Sequence, residues 1–190
     1  MRKDKAAAVI GGLAVVMLAA GVVLGSVYRM KTGGADAAVE EYLRGFMERL
    51  RGGTDARTVF FNALRDNFVC LGLMALSGLF RLGFVLNGAL ILRKGFVTGY
   101  TAAGFLKAFG LKGVLALGAM LPAALLGLSA MLFFGAVSTL YGFNNERSNK
   151  RGIMRYIIFA IITGAIFGMA SVAEGYLSTI FMNKAALWLL

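Results

Sequence analysis

Long apolar runs, separated by only a few polar residues, constrain this chain more than any other feature. One runs from Ala6 to Tyr28 behind the charged start Met1-Arg2-Lys3-Asp4-Lys5, and others cover Phe68 to Leu92, Gly95 to Phe109, Gly113 to Leu140 and Tyr156 to Phe181. About 20 apolar residues cross the hydrocarbon core as one helix. A helix is also the form in which a lipid-embedded segment satisfies its own backbone hydrogen bonds. Composition agrees: of 190 residues, 59% are hydrophobic and only 15% charged, too few to coat a soluble domain of this length. The predicted fold is therefore all-α, a polytopic helical bundle with the lipid bilayer as its first partner.

The formal charge of +11 is spread among hydrophobic segments, so the basic residues read as topology signals and not as a nucleic-acid surface. The first run is longer than a signal-peptide core, and Leu24-Gly25-Ser26-Val27 is a poor cleavage match, which favours a signal anchor over 1–28. Gly21 and Gly25 give that helix a small-xxx-small face for a neighbour. Residues 29–67 form the one sizeable polar region. There Asp36 caps a predicted amphipathic helix with Val39, Leu43, Phe46 and Leu50 on one face, while Arg44 is an i,i+4 partner of both Glu40 and Glu48. A second short segment, Asp55 to Asn67, carries Phe60, Phe61 and Leu64 toward the membrane domain, 68–190.

Cytoplasmic loops collect Lys and Arg. With Arg2, Lys3 and Lys5 inside, the first helix delivers 29–65 outside, the second returns Arg93-Lys94, and the third places Lys112 outside. The fourth returns the basic 147–155 loop, and the fifth leaves the C-terminus outside. Five spans suit the charges. A sixth arises if Arg81 marks a turn between Phe68–Leu79 and a helix from Leu82, at a worse charge fit.

Catalytic constellations are not found. Histidine is absent, Cys70 is the single cysteine, and no paired acids, zinc spacing or phosphate loop appear, so neither enzyme activity nor a cofactor is expected. Glu174 is the sharpest single residue, a carboxylate inside an apolar run and therefore expensive unless it faces protein or water. Arg81 either snorkels to an interface or pairs with Glu174. Pro122, within a long helix, removes one backbone donor and is expected to bend it. Gly164, Gly168 and Gly175 suit a close helix contact beside Glu174.

Several segments, in order, resemble a known family. Asn62-Ala63-Leu64-Arg65-Asp66-Asn67 leads into a hydrophobic helix. Lys94-Gly95-Phe96-Val97-Thr98-Gly99 follows, then Gly110-Leu111-Lys112-Gly113 before Leu121-Pro122, and finally Ala173-Glu174-Gly175-Tyr176. Taken together they are similar to the stage II sporulation protein M family over nearly the whole chain. The resemblance implies a non-catalytic membrane scaffold of engulfment in endospore-forming bacteria. Such a scaffold would sit at the sporulation septum and engulfing membrane and hold a lytic transglycosylase and an amidase–endopeptidase. The alternative is a transport subunit working with a separate ATPase.

Overall fold

The computed structural model describes residues 2–31, 41–43, 45, 48, 55–143 and 150–189. Every regular element among them is helical. These are α1 (Arg2–Lys31), α2 (Ala56–Ser77), α3 (Gly83–Phe109), α4 (Gly113–Phe143), α5 (Lys150–Val172), a π-helical turn (Ala173–Ser178) and α6 (Thr179–Leu189). Four continuous stretches are long and apolar enough to cross a membrane: Lys5–Lys31, Ala56–Ser77, Gly83–Phe143 and Lys150–Ala185. The protein is thus an all-α, multi-pass membrane bundle, and its exposed Val, Leu, Ile and Phe side chains are the surface that lipid covers.

The third stretch has 61 residues, far more than one crossing needs. It folds in two at Gly110, whose φ of 59° is open to glycine and strained for other residues. A short 3₁₀ turn, Gly110–Lys112, follows, and α4 sets off with Gly113 against the Phe105 backbone. At the far end Phe84 stacks on Phe143, with ring centres 5.4 Å apart, so α3 and α4 are an antiparallel pair along their length.

α1 lies parallel to α3 in a seam with no room for side chains. Gly21 faces the backbone of Leu92 to Phe96, Gly25 that of Phe96 and Tyr100, and from the other side Gly95 and Gly99 face Leu18 and Val22. A Cβ at Gly99 would stand 2.7 Å from the Val22 carbonyl carbon. Ser26 Oγ donates to the Gly99 carbonyl at 3.1 Å, a bond that only close backbones permit. Lipid offers no hydrophobic drive for helices to associate, so packing this close supplies the dispersion and polar contacts that do.

α2 runs antiparallel to α5. Tyr156 reaches the Ala75 carbonyl, Gly164 lies beside Leu71, and Ser171 bonds Asn67. The N-terminus of α2 is capped by Asp55, which accepts from Arg57 N at 3.0 Å and from Thr58 Oγ1 at 2.8 Å. These hydrogen bonds hold its carboxyl below the ordinary aspartate range.

Two expected boundaries move. The run 68–92 is not one helix: α2 ends at Ser77, a turn over 78–82 carries Arg81, and α3 begins at Gly83. Asp55 to Asn67 is accordingly the first half of α2 and not a separate surface segment. Arg93 and Lys94, expected to close a span, sit inside α3, about 15–17 Å from its start at 1.5 Å per residue. Of the amphipathic helix expected over 37–50, Glu41, Tyr42, Leu43, Gly45 and Glu48 are described and helical, and the rest, Arg44 included, lies outside the described residues. Leu43 is buried with Phe105, Ala116, Ala119 and Met182 near the Gly110 turn.

Candidate functional site

Polar side chains in apolar helices concentrate in two places. At the end where α2 turns into α3, Ser77 Oγ donates to Asn87 Oδ1 at 2.6 Å. The Asn87 amide donates in turn to Ser138 Oγ and Thr139 Oγ1, both at 3.1 Å. Ser138 Oγ donates to the Met74 carbonyl at 2.6 Å, and Tyr156 donates to the Ala75 carbonyl at 2.8 Å. Four helices meet in this clasp. Tyr156 also stacks on Tyr141, with ring centres 4.2 Å apart and an 11° tilt. Gly78 leaves the space the Tyr156 hydroxyl and Ser138 occupy. Each donor finds an acceptor, so the clasp is a structural joint.

The second place is a cavity of about 350 Å³ between the helices. α3 contributes Lys94, Val97, Thr98 and Thr101, and α4 an apolar wall from Leu117 to Leu128. Asn67 of α2 and Glu174 and Ser178 of the π turn complete it. Asn67 is buried and oriented by its bond to Ser171 Oγ, at 3.0 Å. The π turn fits one more residue into a helical turn than α geometry does, and such turns recur where a helix carries function. Here it places Glu174 and Ser178 on the cavity side and brings Gly175 against the Phe60 backbone.

Lys94 and Asp66 are the charged side chains close enough to act on Glu174, Lys94 from the cavity wall. Among the described residues Lys94 and Glu174 make no direct ion pair. Ser178 Oγ is buried without a hydrogen-bond partner. The cavity wall thus carries an ammonium and a carboxylate, with Asn67, Thr98 and Thr101 as its other polar residues beside Ser178 and hydrocarbon over most of the remainder.

The expected site residues distribute unevenly. Glu174 and Asn67 line the cavity; Gly95 and Gly99 form the α1–α3 seam; Asn62 is exposed on α2, and Glu48 is exposed outside the bundle. Pro122 lies inside α4, which continues through it, beside a second cavity formed with Phe181 and Lys184. Arg81 is exposed in the 78–82 turn, at the level of Tyr156. Counting residues along α5 places Glu174 roughly 25 Å away. Of the two readings of Arg81, the pair with Glu174 is therefore not formed, and the side chain is exposed at a helix end; Lys94 is the cation that lines the cavity with Glu174. Lys94, Ser178 and the clasp residues Ser77, Asn87, Ser138 and Tyr156 were not singled out from sequence. Serine and asparagine within apolar helices are the signal that points to the clasp, since such groups bond across helices.

Among the described residues no three His, Cys, Asp or Glu side chains are grouped to hold a metal. Glycine seams, a polar clasp and a largely apolar cavity between the helices define a multi-pass helical membrane protein. The chain belongs to the family described as Stage II sporulation protein M, whose profile matches residues 13–179. Proteins of that family are non-catalytic membrane proteins of sporulation engulfment. Comparison with curated proteins and with solved structures found no match.

Proposed function

We propose that this protein is a membrane scaffold that anchors and localises peptidoglycan-degrading enzymes during engulfment in endospore formation. The enzymes are a lytic transglycosylase and an amidase–endopeptidase, held at the septum and engulfing membrane. The bundle crosses five times, through α1, α2, α3, α4 and α5, with the N-terminus cytoplasmic and the C-terminus extracytoplasmic. The helix directions support this count. In that orientation the Arg81 turn and the basic residues Lys150, Arg151 and Arg155 all fall on the cytoplasmic side, as the charge rule requires.

The observation that carries the scaffold reading is the seat of Leu43. It fastens the segment between α1 and α2 to the outer end of the membrane domain, against Phe105, Ala116, Ala119 and Met182, while Tyr42 and Glu48 stay exposed. A polar segment held on a rigid base and facing the wall side is what an anchored wall enzyme needs. Single cysteines at 34, 148 and 188, after replacement of Cys70, test the topology: an impermeant thiol reagent should label 34 and 188 in intact cells and spare 148. Charge reversal at Arg44 and Glu48, or deletion of 36–50, should reduce co-purification of wall enzymes. Intact co-purification from a folded deletion variant would move the docking surface elsewhere.

A second reading, a transport subunit driven by a separate ATPase, is favoured by the cavity with Lys94 and Glu174. Substrate-dependent flux in reconstituted vesicles would establish it, and retention of wall enzymes without flux would reject it.

A further inference from the structure

The cavity is expensive as it stands. An ammonium and a carboxylate at bilayer depth each lose hydration, and charges in that position almost always pair or line a path. Lys94 and Glu174 face the same space and still make no direct ion pair. Ser178 lines that space too, but its hydroxyl is buried behind the wall. Two groups of opposite charge therefore face one space without meeting. Leu117, Met120, Leu121, Ala123, Gly127 and Leu128 make most of the remaining wall hydrocarbon, and Asn67, Thr98 and Thr101 add an amide and two hydroxyl-bearing residues. A ligand fitting both parts carries a cation and an anion a few atoms apart and ends in an apolar tail. The volume of about 350 Å³ lies within the usual range for small-molecule sites.

We propose that this cavity is a binding site for a zwitterionic amphiphile, a phospholipid of the ethanolamine type, whose phosphate meets Lys94, whose ammonium meets Glu174, and whose acyl chain lies along α4. Charge complementarity selects the headgroup. A glycerol headgroup brings the phosphate but leaves Glu174 unmatched. A choline headgroup brings a cation that has no N–H to donate. An ammonium donates up to three hydrogen bonds, enough for the two Glu174 oxygens and one threonine hydroxyl of α3. The phosphate gives Lys94 a charge-assisted bond of the kind that lysines make to phosphate. The bound lipid is not a substrate in this proposal. It completes the wall between α2 and α3, the two helices that meet at the Ser77–Asn87 clasp and whose outer halves flank the cavity.

The test is native mass spectrometry on the full chain, purified in a neutral maltoside detergent and supplied with equal amounts of ethanolamine, glycerol and choline phospholipids of the same acyl chains. Wild-type protein should keep one ethanolamine lipid per chain, at least tenfold over the other two. Lys94→Met and Glu174→Gln should each bring that preference close to one. Arg93→Met, which removes the neighbouring charge that does not line the cavity, should leave it unchanged. Ala124→Phe, which fills the cavity without touching a charge, should abolish retention, and it serves if either charge variant fails to fold. Equal retention of the three lipids, no retained lipid, or unchanged preference in the cavity variants would overturn the proposal in favour of a water-filled cleft. Stabilisation by water-soluble phosphoethanolamine equal to that by the lipid would overturn the amphiphile assignment. Loss of wall-enzyme capture with lipid retention intact would count against the scaffold reading alone.

Discussion

Where α2 turns into α3, Ser77, Asn87, Ser138 and Tyr156 donate to one another or to neighbouring carbonyls, whereas nearer the Gly110 turn Lys94 and Glu174 face an open space without meeting. Both regions place polar atoms where lipid would otherwise surround them, and both draw on the same helices. The difference lies in the separation of those helices. Where α2 and α3 turn into each other, side chains as short as serine span the gap. Further out they diverge, and even a lysine and a glutamate do not meet. A satisfied network holds a membrane fold together, and an unsatisfied one at the same depth marks where another molecule is expected.

The comparison predicts how stability should respond. The largest effect belongs to Asn87→Leu, which removes two donors and one acceptor from the clasp. It should cost about 1–3 kcal/mol, because Ser77, Ser138 and Thr139 each lose a buried partner while an apolar side chain enters the clasp. Reversible unfolding in mixed detergent measures it, and a loss well below the lower figure would mean that the clasp is incidental. Ser178→Ala should do far less. Its hydroxyl makes no bond, so its removal should be neutral within about 0.5 kcal/mol or slightly stabilising in lipid-free detergent. If this change destabilises as much as Asn87→Leu, the two ends are not different in kind.

The smallest effect is confined to the start of α2. The Asp55 carboxyl titrates lower in the fold than in the unfolded chain, because the Thr58 hydroxyl and the Arg57 amide bond its charged form. Its contribution is therefore present above the ordinary aspartate range, near pH 4, and fades as pH falls through the lowered folded value. Amide exchange at the first turn of α2 should quicken in acid, and Asp55→Asn, which keeps a capping oxygen, should remove that dependence. An equal acid effect on the clasp amides would mean that the change is not local.

Much of this architecture is legible in the residues. Length and hydropathy specify a multi-pass helical bundle, and the break around Gly110 to Gly113 falls where the sequence places it. Gly21, Gly25, Gly95 and Gly99 are visible as small residues at helical spacing. Their partnership is not, because composition does not say which helix lies parallel to which. The turn at 78–82 is marked in the sequence by Arg81 alone and stands there as the less favoured alternative, because Leu79, Phe80 and Leu82 around it are apolar and remain exposed. Arg93-Lys94 misleads in the opposite sense. A basic pair normally ends a span, but here Lys94 turns into the cavity and lets α3 continue. Glu174 is legible as the residue needing an explanation, whereas its relation to Lys94 depends on a fold that sets residues 80 positions apart around one space.

The π turn has a consequence of phase. A helix advances about 100° per residue, so one residue more or less in a turn re-aims everything after it by that angle. Removing a single residue between Ala173 and Ser178 would return the segment to α geometry and turn α6 by the same amount. Met182 would then leave its place beside Leu43 and Phe105, and Phe181 and Lys184 would swing away from the cavity next to Pro122. The length of this turn thus sets the bearing of the C-terminal helix, and it does so from the same six residues that aim Glu174 and Ser178 inward.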